Sequence, residues 1–278
     1  MSARTGAAGP RSDAQPSEDH GAPVALVTGA SRGIGKRLCT DLAAAGYDVV
    51  CAARSTGDHR SKLPGTVEET ARLVNATGRR GWAAQLDVRD EDAVRVLIEH
   101  IYDEWGRLDL VVNNAAVAPE KPALVDSTKR WRLAIDVNVN GSFYLIYYAA
   151  PRMEKAGGGR IVNVSSGAAD APEFGRPSYT VTKKALEALT ACMAHELRGR
   201  SVAVNTLRLD LMVWTEGFAA TLGDPDAFAM EDAVIMSDAV LWMAKQPLDW
   251  SGHLETITTL RAKGAVRPPT KAGGGPRS

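Results

Sequence analysis

Short apolar runs alternate along this chain with longer stretches in which apolar residues recur at helical spacing. The runs predict strands at Val24–Thr28, Asp48–Ala53, Trp82–Leu86, Leu110–Val112, Arg160–Ser165, Ser201–Leu209 and His253–Thr256. The periodic stretches predict helices at Gly33–Ala45, Thr66–Thr77, Asp90–Glu104, Lys129–Lys155, Ser178–Leu197 and Ala233–Lys245. Strand and helix in regular alternation build β-α-β units. The predicted fold is therefore a single-domain α/β Rossmann-type protein, a doubly wound parallel sheet of seven strands with helices on both faces and right-handed crossovers. The domain is expected to run from residue 23 to residue 261.

The two ends break this pattern. Residues 1–22 are rich in Ala, Gly, Ser and Pro without an apolar stretch, which predicts a disordered extension rather than a signal peptide or anchor. Residues 262–278 hold basic residues, prolines and Gly273-Gly274-Gly275 but no acid, and predict a basic disordered tail. Lys+Arg and Asp+Glu both number 33 in 278 residues, so the overall charge points to no nucleic-acid partner. No apolar run reaches the ~20 residues of a membrane span, and the expected location is the cytoplasm. Cys39, Cys51 and Cys192 stand in apolar segments without Cys-x-x-Cys or His clustering, and are read as small core residues with no metal.

Candidate chemistry begins at the first strand-to-helix turn, Gly29-x3-Gly33-x-Gly35, with Ser31, Arg32 and Ile34 between the glycines. Such a turn lets backbone approach a phosphate while the next helix offers free N–H groups and the positive end of its dipole. The spacing is not G-x-G-x-x-G, and a lone glycine cluster also marks ordinary turns. Its place between strand and helix strengthens the cofactor reading. In dinucleotide folds an acid at the end of the second strand holds the ribose hydroxyls and repels a 2′-phosphate. Here that end reads Cys51-Ala52-Ala53-Arg54. With the acid missing, Arg54 and Arg32 favour NADP(H) over NAD(H) through charge-assisted bonds to a 2′-phosphate, unless both merely face solvent.

The second locus is Tyr179-x3-Lys183. Reducing a carbonyl requires a proton donor whose pKa approaches the working pH, and a free tyrosine near ~10 is too weak an acid. Lys183 lies one helical turn beyond Tyr179, where its charge stabilises a phenolate, and it is also placed to hold a ribose. An isolated Tyr-x3-Lys is a loose pattern. Ser166, thirteen residues before Tyr179 and at the end of a predicted strand, supplies the context.

The order and spacing of Thr28–Gly35, Asp87, Asn113-Asn114-Ala115, Asn138, Ser165-Ser166 and Tyr179–Lys183 resemble the short-chain dehydrogenase/reductase family over about Val24–Leu209. The resemblance implies that Ser166 orients the substrate oxygen while Ser165 points elsewhere. It implies that Asp87-Val88 meets adenine, although Asp87 alone is equally a helix cap, and that Asn114 and Ala115 line the cofactor, with Ala116 replacing a family glycine. Asn138 corresponds to a helix asparagine whose backbone supports proton relay; Asn140 competes for that part, and a mid-helix asparagine also serves purely local needs. A homodimer or homotetramer is implied as well.

After the sixth strand the likeness frays. Arg208-Leu209-Asp210-Leu211-Met212-Val213-Trp214-Thr215 lacks the usual Pro-Gly, leaving Thr215, with Val213 supplying backbone, to meet the nicotinamide amide. The usual Asp-Gly-Gly near the C-terminus is absent, and the long loop through Lys62–Thr70 is reminiscent of hydroxysteroid-dehydrogenase-like members. Trp214, Phe218, Phe228 and Met230 suggest a lid with an apolar inner face, or else core packing. The expectation is an oxidoreductase that interconverts a carbonyl and a secondary alcohol on an apolar small molecule. Its rivals are a non-catalytic dinucleotide-binding regulator or scaffold and an epimerase or dehydratase of the same fold.

Overall fold

In a computed structural model the chain is described over residues 21–59, 63–122, 124–171, 174–216 and 230–269. Among these, seven strands form one parallel sheet in the order β3-β2-β1-β4-β5-β6-β7. They are β1 Val24–Thr28, β2 Asp48–Ala53, β3 Gly81–Gln85, β4 Leu110–Asn113, β5 Gly159–Ser166, β6 Val202–Leu209 and β7 Leu254–Thr256. The order reverses between β1 and β4, where connections leave to opposite sides and open a crevice at the strand ends.

Alternate residues of the sheet feed two cores. Ala25, Val27, Val49, Cys51 and Val112 pack against α1 (Gly33–Ala44), α2 (Val67–Asn75), α7 (Val234–Ala244) and α8 (Ile257–Ala262). Leu26, Val50, Val111, Ile161 and Val204 face α3 (Glu91–Trp105), α5 (Gly141–Lys155) and α6 (Pro177–Glu196). Because β1, β2 and β4 are buried along their whole length, their sequences read as unbroken apolar runs rather than alternation.

Helix ends follow local chemistry. Thr66 and Glu69 close a capping box on α2, Asp90 caps α3, and Gly106 ends α3 in the left-handed region at φ 73°. Pro177 opens α6, where a missing N–H costs nothing.

Several expectations are corrected. The third strand starts one residue earlier, at Gly81, because Gly81–Gln85 is the stretch that pairs with Val49–Ala53. The single helix expected over Lys129–Lys155 is divided: α4 (Thr128–Ile135) passes through a π-helical turn at Asp136–Asn140 into α5. Cys39 and Cys51 are buried, but Cys192 lies on the outer face of α6 and is exposed, so it is not a core residue. The chain also does not leave the body at residue 262. A capping box of Thr256 and Thr259 starts α8, Val266 is buried, and Arg267 pairs with Asp238 at 2.6 Å. Residues 1–20 and 270–278, on which most of the two predicted extensions falls, lie outside the described residues.

Candidate active site

The turn after β1 is shaped by two glycines that admit no side chain. Gly29 has φ +69°, and a Cβ added there would stand 3.0 Å from Ala115 Cα and from Asn114 Nδ2. A Cβ on Gly35 would overlap the Gly29 carbonyl and lie 2.7 Å from Asn114 Nδ2. Thr28 locks this turn to the end of β4: its Oγ1 accepts from Asn114 N and Ala115 N, each at 3.1 Å, while Asn114 Nδ2 donates to Thr28 O at 2.8 Å.

A cleft of about 340 Å³ opens here, at the C-terminal ends of β1 to β4. Gly29, Ser31, Arg32, Gly33, Ile34, Gly35, Arg54, Asp87, Val88, Asn114, Ala115 and Thr215 line it, so most of the sequence-predicted cofactor residues are brought together. Tyr179, Lys183 and Val213 are not among its walls. Ala53, Ser55, Leu86 and Val117 are, and were not anticipated; the first three each neighbour a predicted residue and Val117 lies two positions beyond Ala115, which is the one signal that would have found them. A glycine cradle that a Cβ would fill, at a switch point between strands, fits an extended dinucleotide.

Charges on the cleft are unequally placed. Arg32 donates to the carbonyls of Pro64 and Leu63 at 2.8 and 3.0 Å and to Ser55 Oγ at 3.1 Å, so much of its hydrogen-bonding capacity braces the loop after β2. Burial lowers its pKa, which Glu216 opposes. Arg54 is exposed on the rim. Asp87 is held below the usual carboxylate range by hydrogen bonds from Arg89, whose guanidinium reaches both carboxylate oxygens. Glu216, absent from the sequence-level set, has Oε2 3.1 Å from Gly33 N, where it accepts from the turn's own amide.

The second half of the site is built by β5 and α6. Lys183 is buried, and its Nζ donates to Val164 O at 2.6 Å and stands 5.6 Å from the Tyr179 ring centroid. Burial pushes this ammonium down to about 8, against the raising effect of Glu187. Ser165 turns inward and donates to Glu187 Oε1 at 2.8 Å. Ser166, half-buried at the end of β5, accepts from Ala168 N at 3.3 Å.

Asn138 sits in the π-helical turn, 1% exposed. Its Oδ1 accepts from Val117 N at 2.8 Å, and its Nδ2 donates to Val117 O and Thr182 Oγ1, both at 2.9 Å. One amide thereby ties the loop after β4 to the first turns of α6. Asn140, the competing candidate, donates instead to Asp136 Oδ1.

The segment expected to form a lid is fastened at both ends. Val213 bridges Glu231, with Trp214 N donating to Glu231 O and Glu231 N to Met212 O, each at 2.9 Å. Met230 is buried, whereas Trp214 is 41% exposed. Phe218 and Phe228 lie outside the described residues.

The family model described as short chain dehydrogenase matches residues 23–221. The chain is 35% identical over 183 residues to 3-oxoacyl-acyl-carrier-protein reductase FabG of Staphylococcus aureus, covering 66% of this chain and 72% of that protein. It is 31% identical over 230 residues to hydroxysteroid dehydrogenase-like protein 2 of Danio rerio, covering 82% of this chain but only 55% of that longer protein. Among solved structures, a Xanthomonas campestris protein described as a dehydrogenase superposes with a TM-score of 0.79 at 30% identity, over 87% of this chain and 90% of the other. A Sinorhizobium meliloti protein described as a short-chain alcohol dehydrogenase gives 0.73 at 26% identity, over 87% and 96%.

Proposed function

The chain belongs to the short-chain dehydrogenase/reductase family, and from that premise we propose that it interconverts a carbonyl and a secondary alcohol on an apolar small molecule with NADP(H), using Tyr179 as acid and base. The observation that carries this reading is the buried Lys183 beside the Tyr179 ring, at the end of the strand that bears Ser166.

The cofactor, when bound, supplies or accepts the hydride. Gly29, Ser31, Gly33, Ile34 and Gly35 would hold its pyrophosphate through backbone, Asp87 and Val88 its adenine, Asn114 and Ala115 its middle, and Val213 and Thr215 its amide. Arg54 carries the preference for a 2′-phosphate, since Arg32 is engaged with the loop after β2. In the reducing direction Tyr179 Oη gives its proton to the substrate oxygen while Ser166 Oγ donates to the same atom. Lys183, with a pKa about 8, is cationic at neutral pH, so its charge supports the phenolate left behind. Asn138 keeps the loop after β4 against α6 and offers its backbone for proton return.

The apolar substrate class rests on what the loops at the strand ends present. Leu124, Phe174 and Trp214, from the connections after β4, β5 and β6, are large apolar side chains left exposed. An oligomer is proposed on a different face. Phe143 and Tyr147 are exposed on α5, and a hollow of about 410 Å³ bordered by Tyr147, Pro151 and Met193 lies beside them. Titration with NADPH and NADH, followed by cofactor oxidation against a panel of ketones, tests the function. Selective turnover with NADPH supports it, and NADPH binding without turnover on any carbonyl favours a non-catalytic dinucleotide-binding protein.

A further inference from the structure

Arg176, the residue that precedes α6, is not among the groups assigned above, yet its Cζ lies 5.3 Å from the centroid of the Tyr179 ring. Its Nη2 is 3.1 Å from Glu120 Oε1, on the loop after β4. Tyr179 is therefore attended by two cations, Arg176 three residues before it and Lys183 four after, the latter 5.6 Å from the same centroid. We propose that Arg176 is a positioning residue that, through its place beside the Tyr179 ring, sets the ionisation of the phenol, and that Glu120 tempers it. The inference rests on Tyr179 being the acid and base of the reaction.

A cation near an aromatic face is attracted by the ring's negative quadrupole, and the attraction grows when the phenol becomes a phenolate. A positive charge within a few ångströms thus favours the ionised form and lowers the phenol's pKa. The Glu120 carboxylate offsets part of that charge. Both side chains keep some solvent access, Arg176 at 24% and Glu120 at 47%, so screening limits the effect to less than a buried pair would give.

Other charges stand on the elements around the first half of α6. Arg208 on β6 pairs with Glu187 and Asp170, and Lys184 pairs with Asp170 and Glu187, giving two cations and two anions in one closed group. The π-helical turn contributes Asp136, and α4 contributes Lys129, Arg130 and Arg132, all three exposed. Among the described residues, the charged groups beside the Tyr179 ring are Lys183 on one side of the helix turn and Arg176, with its partner Glu120, on the other.

The variants Arg176→Met, Arg176→Lys and Glu120→Gln test the proposal by two readouts. One is the ultraviolet absorbance titration of the phenol in cofactor-free protein, taken as the difference from Tyr179→Phe. The other is the pH profile of ketone reduction. Arg176→Met is expected to raise the Tyr179 midpoint by roughly half a unit to one unit, Arg176→Lys to restore most of it, and Glu120→Gln to lower it. The profile's tyrosine limb should move in the same directions. A role confined to tying the two loops together predicts instead that Arg176→Met and Glu120→Gln, which break the same ion pair, act alike. Equal effects from these two, or an unmoved midpoint in Arg176→Met, would overturn the proposal, and Glu120→Gln keeps it testable should Arg176→Met fold poorly. Turnover surviving in Tyr179→Phe would instead remove the functional reading on which it stands.

Discussion

At the residue scale, the site combines groups whose environments push them away from their ordinary behaviour. Lys183 has a folded pKa of about 8, below the ordinary lysine value of ~10.4, so the unfolded chain holds that proton more tightly between the two. The buried cation costs stability below pH 8, and that cost is relieved as pH rises toward 10. Lys183→Met is therefore expected to raise the melting temperature near neutral pH while abolishing turnover; a lower melting temperature would contradict this account of the burial. Glu216 offers a second case. Its carboxylate accepts from Gly33 N, the amide that the proposed site assigns to a phosphate, so cofactor must displace it. Glu216→Gln is expected to bind NADPH about five- to thirty-fold more tightly in a fluorescence titration, on the order of 1–2 kcal/mol. Unchanged or weaker binding would show that the contact does not compete. Neither residue environment was legible from sequence: the Tyr179-x3-Lys183 spacing pointed to a pair, but the burial of Lys183 and the approach of Glu216 across 183 positions arise only on folding.

Element-scale behaviour turns on how α4, the π-helical turn and α5 replace one continuous helix. Asn138 spends its side chain on Val117 and Thr182, so its substitution leaves a half-buried backbone N–H and C=O without their partners. Asn138→Ala is expected to cost about 2–3 kcal/mol in urea unfolding and to reduce turnover. A midpoint within error of wild type would show that the loop after β4 is held by other means. The strand positions were readable because β1 and β2 are buried on both faces, which produces runs that no helix period mimics. The π-helical turn was not, since Asp136–Asn140 holds no proline or glycine that would mark a break within the helical stretch. The short α8 was missed for a related reason: six residues hold too little periodicity, and only the Thr256–Thr259 capping box marks its start.

At the scale of the whole molecule, the sheet reverses its order between β1 and β4, and the proposed site takes one half from each side of that point. Residues more than 140 positions apart, Gly33 and Tyr179, are carried to the same edge by strands whose C-terminal ends align. The seven-stranded parallel sheet was anticipated from strand and helix alternation, whereas the path after β6 was not, because Val213 and Glu231 form a bridge that no local pattern announces. The exposed Phe143 and Tyr147 predict self-association through α5: Tyr147→Glu should lower the sedimenting mass, and a monomeric wild type would contradict that surface's role. The central claim, a hydride-transfer enzyme with Tyr179 as acid and base, is tested most directly by comparing wild type and Tyr179→Phe in the same assay of NADPH oxidation by ketones, with NADPH binding measured in parallel. The account predicts NADPH-dependent turnover in wild type and a loss of about a hundredfold or more in the variant, with binding retained. Turnover that survives in Tyr179→Phe would contradict it.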